Sequence, residues 1–274
     1  MVNQSIGFIG GGNMATSLIG GLISGSNISA EQISVFEPNT QKAESLAQEY
    51  GIFAAQDNSS LIARSQIVLI AVKPQVLEQV LTPLADDFRA TKPLIISVVA
   101  GITAKSIERW LGQSFAIIRV MPNTPALVGS GASGLFANAM VNSAQKTIAQ
   151  QLMNTVGVSV WVPKEADIDS VTALSGSGPA YFMLFMQSLI EAGVAAGLEP
   201  ETAKTLAIAT TKGAAELVES SDLSLQTLID KVTSPKGTTE SALQAFHAAK
   251  LPAIVNNAFT AAKIRSEELA QELG

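Results

Sequence analysis

The first half of the chain alternates between short apolar runs and longer amphipathic stretches. The runs at 67–72 and 94–99 are continuously apolar, which is typical of parallel strands covered on both faces. In the stretches between such runs, apolar residues recur every three or four positions, as on one face of a helix. This alternation predicts repeated strand–helix units. The strands are expected at 6–9, 33–36, 67–72, 94–99, 116–120, 134–136 and 158–162.

Polar and proline residues predict where the first helices begin and end. Thr40 and Thr103 are placed to cap the helices that follow them, and a helix from about Val76 is expected to be interrupted near Pro83. A further helix is predicted at 143–156. Repeated units of this kind predict a doubly wound sheet, whose ligands bind at the carboxyl ends of the strands.

After about Lys164 only helical periodicity remains. The fold class is therefore α/β, with an N-terminal Rossmann-type doubly wound parallel sheet in residues 1–164 and an all-helical domain in residues 165–274. Three prolines, Pro179, Pro200 and Pro252, fit first-turn positions of helices. The helices are expected at 165–175, 179–197, 201–220, 224–232, 239–248 and 252–273.

A glycine-rich turn joins the first strand to the first helix. Gly10, Gly12 and Ala15 have the spacing G-x-G-x-x-A, in which the glycines allow a tight turn and a close approach to a pyrophosphate. The helix that follows presents its unpaired N–H groups to the phosphates. Because the turn lies between a strand and a helix, it predicts a dinucleotide site rather than an ordinary turn.

Glu37 ends the second predicted strand, where an acid can hydrogen-bond the ribose 2′-OH of a dinucleotide. A carboxylate there would favour NAD, because it repels the 2′-phosphate of NADP. The alternative is an exposed acid before the turn at Pro38.

Two segments of the second half suggest ligand contacts. The segment 175–179, Ser-Gly-Ser-Gly-Pro, allows its backbone to come close to a ligand or to another chain. The segment 232–239 gathers hydroxyl groups and N–H groups at a helix start, which suits a carboxylate. The alternative for this second segment is a Ser/Thr-rich helix cap without a ligand.

The amino-acid composition argues against several classes of function. With no cysteine and one histidine, His247, the chain has neither a thiol nucleophile nor the ligands of a Cys or His-rich metal site. A net charge of −6 without a basic run argues against a nucleic-acid partner. The N-terminus lacks a signal-peptide pattern, so we expect a cytoplasmic protein. Polar residues in the middle of 179–198 argue against a membrane span and favour a helix buried in protein, at a subunit interface.

Five motifs together resemble the pyrroline-5-carboxylate reductase family. The resemblance runs from about Ser5 to about Glu268, with similar motif spacing throughout. The first motif is shared by many dehydrogenases, whereas the last two are far more specific. The motifs are GFIGGGNMA, AVKP at 71–74, MPNTP at 121–125, LSGSGPAY at 174–181 and TSPKGTT at 233–239.

The resemblance implies that NADPH or NADH reduces the cyclic imine 1-pyrroline-5-carboxylate to L-proline, without a metal. It implies a helical domain that builds a homodimer, which can assemble further. It also implies the site residues. At the cofactor these are Ile9, Gly10, Gly11, Gly12, Asn13, Met14, Glu37, Asn58, Ala71, Val72, Lys73, Pro74, Val98, Val99 and Ala100; at the substrate they are Glu165, Ser234, Gly237, Thr238 and Thr239, with Thr239 as the catalytic residue.

Two residues depart from the family pattern, and two other functions stay open. Lys236 stands where a glycine is common, and Glu37 stands where relatives often have small polar or basic residues.

One alternative function is another imine or β-hydroxyacid dehydrogenase of the same architecture. A β-hydroxyacid dehydrogenase needs a lysine that the helix 179–198 lacks. The other alternative is a nucleotide-binding protein without turnover, which would not need the hydroxyl-rich segment at 233–239.

Overall fold

The computed structural model describes residues 4–25 and 28–274. Residues 1–3 lie outside the described residues. The first predicted domain and the N-terminal segment without a signal-peptide pattern both begin with these residues. The chain forms two compact units, one of Met1–Ser177 with Ala262–Gly274 and one of Gly178–Ala261. The division into domains after residue 164 remains a sequence-based prediction.

Eight strands form one sheet in the first unit. They are β1 (Ile6–Ile9), β2 (Ile33–Phe36), β3 (Phe53–Ala54), β4 (Ile67–Ile70), β5 (Leu94–Ser97), β6 (Ile117–Met121), β7 (Gly131–Ala137) and β8 (Gly157–Trp161). Their spatial order is β3-β2-β1-β4-β5-β6-β7-β8. The strands from β3 to β6 are parallel, whereas β7 runs antiparallel to β6, and β8 runs parallel to β7. The order reverses between β1 and β4, which is where doubly wound sheets bind their ligands.

The apolar runs predicted the strands, and the structure confirms the sheet with three differences. The strands predicted at 67–72 and 94–99 end earlier, at Ile70 and Ser97, because the chain then turns into the loops that precede helices. Strand β3 has only two residues, too few for a recognisable pattern, and was missed. The antiparallel direction of β7 was also missed, because apolar alternation does not encode strand direction.

Among the described residues, the helices that alternate with these strands, or directly follow the last of them, lie in the first unit. They are α1 (Asn13–Ser24), α2 (Thr40–Tyr50), α3 (Asn58–Ala63), α4 (Pro74–Leu81), α5 (Ala85–Thr91), α6 (Ala104–Leu111), α7 (Ser143–Met153) and α8 (Asp167–Val171). The expected interruption near Pro83 is a short 3-10 turn between α4 and α5, although α4 begins at Pro74 rather than near Val76. The prediction that Thr40 caps α2 was wrong. Asn39 is the N-cap residue, because its side-chain oxygen accepts a hydrogen bond from the Lys42 N–H at 3.0 Å, and Thr40 is already the first residue of the helix.

Two apolar clusters pack the first unit, one on each face of the sheet. Neighbouring residues of a strand point to opposite faces, so Phe8 belongs to one cluster and Ile9 to the other. The first cluster joins the sheet to α1 and α7, and the second joins it to the helices around Phe88 and Trp110. Burial on both faces explains why the strands read as continuous apolar runs.

The second unit consists of helices. They are α9 (Gly178–Ala195), α10 (Pro200–Glu219), α11 (Leu225–Lys231), α12 (Thr238–Ala248) and the first part of α13 (Leu251–Leu273), whose residues from Ala262 onward belong to the first unit. The three prolines lie in first turns, as predicted. Within the single chain the predicted interface helix 179–198 is largely exposed: Phe182 and Leu184 are 67% and 65% exposed. No helix among the described residues is long and apolar enough to cross a membrane.

Candidate active site

The turn between β1 and α1 has the geometry that its glycines predict. Gly10 has φ +98°, and a Cβ there would lie 2.7 Å from the Ala71 carbonyl oxygen, so only glycine fits. At Gly12, by contrast, a Cβ would meet nothing closer than 3.9 Å. Gly12 precedes α1 in an extended conformation, and no side chain caps the helix. The first-turn N–H groups of α1 therefore have no intrahelical partner and face an open approach, as a pyrophosphate site requires.

Glu37 closes this turn from the side of β2. Its Oε2 accepts a hydrogen bond from the Gly11 N–H at 3.0 Å, and its Oε1 accepts one from the Asn39 N–H at 3.2 Å. The carboxylate is thus held directly beside the glycine turn instead of pointing freely into solvent. This position favours the ribose interpretation of Glu37 over that of an exposed acid before Pro38.

A cleft of about 510 Å³ lies beside the Glu37 carboxylate. The chain segment Ala54–Gln56, which includes the end of β3, forms one wall of it, and Phe36 forms another. This wall could not be predicted from the sequence, because β3 is too short to be recognised. A cleft beside this carboxylate that is lined by both apolar and polar side chains suits the adenosine end of a dinucleotide.

The carboxyl ends of β1, β4 and β5 bring the other cofactor candidates together. The Ala71 N–H donates to the Ile9 carbonyl at 2.9 Å, and the Val98 N–H donates to the Ile70 carbonyl at 3.1 Å. Lys73 is the N-cap residue of α4, and Pro74 is its first residue. These hydrogen bonds align the segments 9–14, 71–74 and 98–100 along one edge of the sheet, so the cofactor residues implied by resemblance are adjacent.

Asn58 supplies an independent indication of a ligand at this edge. It is the first residue of α3, and its buried Oδ1 has no hydrogen-bond partner among the described residues. A buried acceptor without a partner is costly, so such an atom indicates a donor that the protein itself does not provide. Together with the open turn at Gly12 and the cleft beside Glu37, it fits a bound dinucleotide. Within the described ranges, no group of three or more His, Cys, Asp or Glu side chains could hold a metal ion.

Glu165 is held by two partners in the first unit. Its Oε1 accepts one hydrogen bond from the Ala104 N–H at 2.7 Å and another from the Arg119 Nη1 at 3.0 Å. The Arg119 side chain is 7% exposed and that of Glu165 is 29% exposed. Arg119 was missed from the sequence. The signal available was a single cation within the apolar run 116–120, because a buried charge requires a partner.

The loop after β6 is tied to the segment 172–176, which is a short π-helical stretch. Asn123 is buried; its Nδ2 donates to the Ser175 carbonyl at 3.1 Å, and its Oδ1 accepts from the Ala132 N–H at 2.9 Å. A Cβ at Gly176 would lie 2.6 Å from the Met121 side chain. The glycine at 176 therefore permits a close approach, as predicted, but its neighbour is another part of the chain.

The remaining predicted substrate residues gather at the start of α12 in the second unit. Gly237 precedes the helix in an extended conformation without a side-chain cap, Thr238 is its first residue, and Thr239 is half-buried. Lys236 has φ +60°, the left-handed conformation that explains why a glycine is common there. The Lys236 N–H donates to the Glu240 carboxylate at 2.7 Å, which stabilises this turn. The helix start keeps its own N–H groups available to an anion.

Comparisons with known proteins identify relatives over nearly the full length of the chain. The chain is 46% identical to a pyrroline-5-carboxylate reductase of Pseudomonas aeruginosa, over 100% of both chains. It superposes with a TM-score of 0.93 on the structure of such a reductase from Coxiella burnetii, at 40% identity and covering 97% of this chain and 98% of that one. The reductase of Plasmodium falciparum, solved with NADP bound, gives a TM-score of 0.86 at 34% identity, over 98% and 99% of the two chains.

The two halves of the chain also match separate family profiles. Residues 5–101 match a profile described as NADP oxidoreductase, coenzyme F420-dependent, and residues 165–269 match one described as pyrroline-5-carboxylate reductase dimerisation. With the dinucleotide turn, these features define an NAD(P)-dependent oxidoreductase that combines a Rossmann-type domain with a helical dimerisation domain. The chain belongs to the pyrroline-5-carboxylate reductase family.

Proposed function

We propose that this chain reduces 1-pyrroline-5-carboxylate to L-proline, the last step of proline biosynthesis, with NADPH or NADH. The observation that carries the proposal is the uncapped start of α12, with its two threonines, in a chain that also has an open dinucleotide turn. The substrate is a small cyclic imine with a carboxylate, and a helix start of this kind suits that carboxylate.

The cofactor residues divide into three functions. The turn 9–14 binds the pyrophosphate through its N–H groups, and Glu37 and Asn58 contact the adenosine half through their side-chain oxygens. The segments 71–74 and 98–100 line the cofactor along the sheet edge. When bound, the reduced dinucleotide supplies the hydride.

The substrate residues act through hydrogen bonds to the carboxylate. Thr238 and Thr239 offer N–H and hydroxyl donors at the start of α12, while Ser234 and Gly237 belong to the turn that precedes it. We assign Thr239 as the catalytic residue of this set, because its half-buried hydroxyl can contact the bound imine. Glu165, which the resemblance places at the substrate, remains a prediction in that role.

The chemistry needs little from the side chains. A protonated imine is already a good hydride acceptor. The main task of the protein is therefore to hold the imine carbon against the hydride donor. A chain with one histidine and no cysteine can meet this demand. Hydride addition leaves the proton that the substrate brought on the nitrogen of a neutral amine, and this amine then takes a second proton from water.

The helical domain of 165–269 is proposed to form a homodimer, which can build a larger assembly of dimers. The cytoplasm is the proposed location. Neither nucleic acid nor a membrane is a proposed partner.

Replacement of Thr239 by Ala tests the substrate site. A hydrogen bond to a charged group contributes about 1.5–3 kcal/mol, so kcat/KM for the imine should fall roughly 10- to 100-fold. The Kd for NADPH should be unchanged. Thr211→Ala is the matched control, because the Thr211 hydroxyl donates within its own helix, to the Ala207 carbonyl at 2.8 Å. An unchanged kcat/KM in Thr239→Ala would remove this residue from the site.

A further inference from the structure

We propose that Arg119 and Glu165 are positioning residues, which hold the loop Val98–Thr103 in the shape that the cofactor requires. The inference rests on the proposed function, because it takes Val98, Val99 and Ala100 as residues that line the bound dinucleotide. Neither Arg119 nor Glu165 touches the cofactor in this proposal. Both act through the loop.

The loop begins beside Arg119. Strand β5 ends at Ser97, and Ser97 pairs in register with Arg119 on the neighbouring strand β6. The next residue, Val98, is still attached to the sheet on its other side, since its N–H donates to the Ile70 carbonyl. The position of the loop's first residue is therefore set by the strands on both sides of it.

The far end of the loop is connected back to the same arginine. Glu165 Oε1 accepts hydrogen bonds from the Ala104 N–H at 2.7 Å and from Arg119 Nη1 at 3.0 Å. Ala104 is the first residue of α6, immediately after the loop. Arg119 therefore lies beside Ser97, the strand residue after which the loop starts. It also donates a hydrogen bond to the Glu165 carboxylate, which in turn holds the residue at the end of the loop.

Two separate hydrogen bonds fix the start of α6, one to the Thr103 side chain and one to Glu165. Thr103, the N-cap residue, accepts a hydrogen bond from the Ser106 N–H at 3.1 Å and leaves the Ala104 N–H free for Glu165. A carboxylate is also stabilised electrostatically at a helix N-terminus. The hydrogen bond and the helix N-terminus therefore both stabilise the Glu165 carboxylate at the start of α6. In return, Glu165 keeps the first turn of α6 from fraying and so holds the end of the loop.

The burial of Arg119 indicates that the pair has a function beyond surface charge balance. Among the ion pairs of the described residues, this is the one with a side chain less than a tenth exposed; the others have both side chains at least 39% exposed. A buried ion pair adds little net stability over an apolar replacement, but it defines one geometry well. A loop that lines a cofactor must keep one defined conformation, and such an ion pair can provide it.

The middle of the loop is covered by the end of α13. Gly101 has φ +72°, and a Cβ there would lie 3.3 Å from the Leu269 Cβ. The loop is consequently fixed at its start by the sheet, at its end by Glu165 and Arg119, and at its middle by Leu269. Val98 and Ala100 stay half-buried at this part of the loop, whereas the Val99 side chain packs into the second apolar cluster.

Direct measurement of NADPH binding, without substrate, tests the proposal. Glu165→Ala and Arg119→Met should each weaken NADPH binding roughly tenfold, because a small displacement of groups that line a ligand is costly. The double variant should be no weaker than either single variant, since both changes release the same attachment. Glu165→Gln and Arg119→Lys retain the acceptor and the cation, so each should recover most of the affinity. Arg89→Met, which removes the exposed Arg89–Asp86 pair on α5, is the control.

Steady-state kinetics separate the possible outcomes. The KM for NADPH should rise in both Glu165→Ala and Arg119→Met, and in Arg119→Met the KM for the imine should stay within about twofold of the wild type. A raised imine KM in Glu165→Ala alone, with NADPH binding unchanged, would overturn the proposal and make Glu165 a substrate ligand. Additive losses in the double variant would also overturn it. If Arg119→Met does not fold, Glu165→Ala and Arg119→Lys still decide the matter. A wild-type protein that binds NADPH but does not reduce the imine would contradict the proposed function only.

Discussion

Glu37 has two functions at the residue scale. Its carboxylate accepts hydrogen bonds from the N–H groups of Gly11 and Asn39, so it organises the turn that binds the pyrophosphate. In the proposed function the same carboxylate lies where a 2′-phosphate would come, and like charges repel by about 1 kcal/mol at 4 Å in water and by several when partly desolvated. The family as a whole accepts both cofactors and often favours NADPH. We therefore expect this chain to use both, with a bias toward NADH from Glu37.

Replacement of Glu37 by Ser should raise the ratio of kcat/KM for NADPH to that for NADH. The change removes the repulsion, and it frees the Gly11 and Asn39 N–H groups to bind the 2′-phosphate. We expect a shift of roughly tenfold or more, which corresponds to about 1.4 kcal/mol. Glu31→Ser, at an exposed site in a 3-10 turn, controls for the loss of net charge. A ratio that stays constant or falls would mean that the carboxylate does not face the ribose.

At the scale of elements, the sequence was informative wherever one local pattern decides the structure. The continuous apolar run at 67–72 predicted β4, and the glycine spacing at 10–15 predicted the turn into α1. Features that depend on distant partners were not predictable. The hydrogen bond from the Ala104 N–H to Glu165 joins residues 61 positions apart, and nothing in the sequence near either residue indicates it. Site residues at strand ends could be found, but the pair that supports them could not.

Helix α3 shows how an element next to the candidate site depends on pH. Its cap, Asp57, accepts a hydrogen bond from the Ser60 N–H at 2.7 Å, and this bond lowers the pKa of the Asp57 carboxyl. A pKa lowered in the folded state means that Asp57 stabilises the protein above the unfolded carboxyl pKa, near 3.9, and that the contribution disappears as the pH falls through the folded value. Asn58, with its unpaired Oδ1, follows directly, so the cap also fixes a candidate cofactor contact.

Replacement of Asp57 by Asn should reduce the loss of stability on acidification. Asparagine is an equally good N-cap residue but does not titrate in this range, so its hydrogen bond to the Ser60 N–H persists in acid. Chemical denaturation at pH 6 and at pH 3 measures the effect in both proteins. Asp222→Asn, an exposed carboxylate after α10, is the control. An equal loss of stability in Asp57→Asn and the wild type would show that the cap is not the titrating group.

At the scale of the whole molecule, the second unit carries several large apolar side chains that are exposed among the described residues. Phe182, Met183 and Leu184 in the first half of α9 are each more than half exposed. Phe185 packs against Phe246 of α12, with ring centroids 5.9 Å apart, so the helix is anchored within the unit while its other faces stay open. Apolar patches of this extent mark interaction surfaces, and the family's dimerisation profile covers this region. The exposure thus agrees with the sequence-based expectation that a second chain covers α9.

The variant Phe182→Glu should therefore convert the assembly to smaller species. Burial of one such side chain contributes about 1.5–3 kcal/mol, and a two-fold interface contains it twice, so the charge should cost about 3–6 kcal/mol of association free energy. Light scattering at micromolar concentration should give a mass of at least two chains for the wild type and a lower mass for the variant. Val128→Glu, at a site that is 78% exposed in the first unit, controls for the introduction of a charge on an apolar surface side chain. A wild type that is monomeric and active would show that the apolar face of α9 does not serve assembly. An unchanged mass in Phe182→Glu would move the interface to another face of the helical unit.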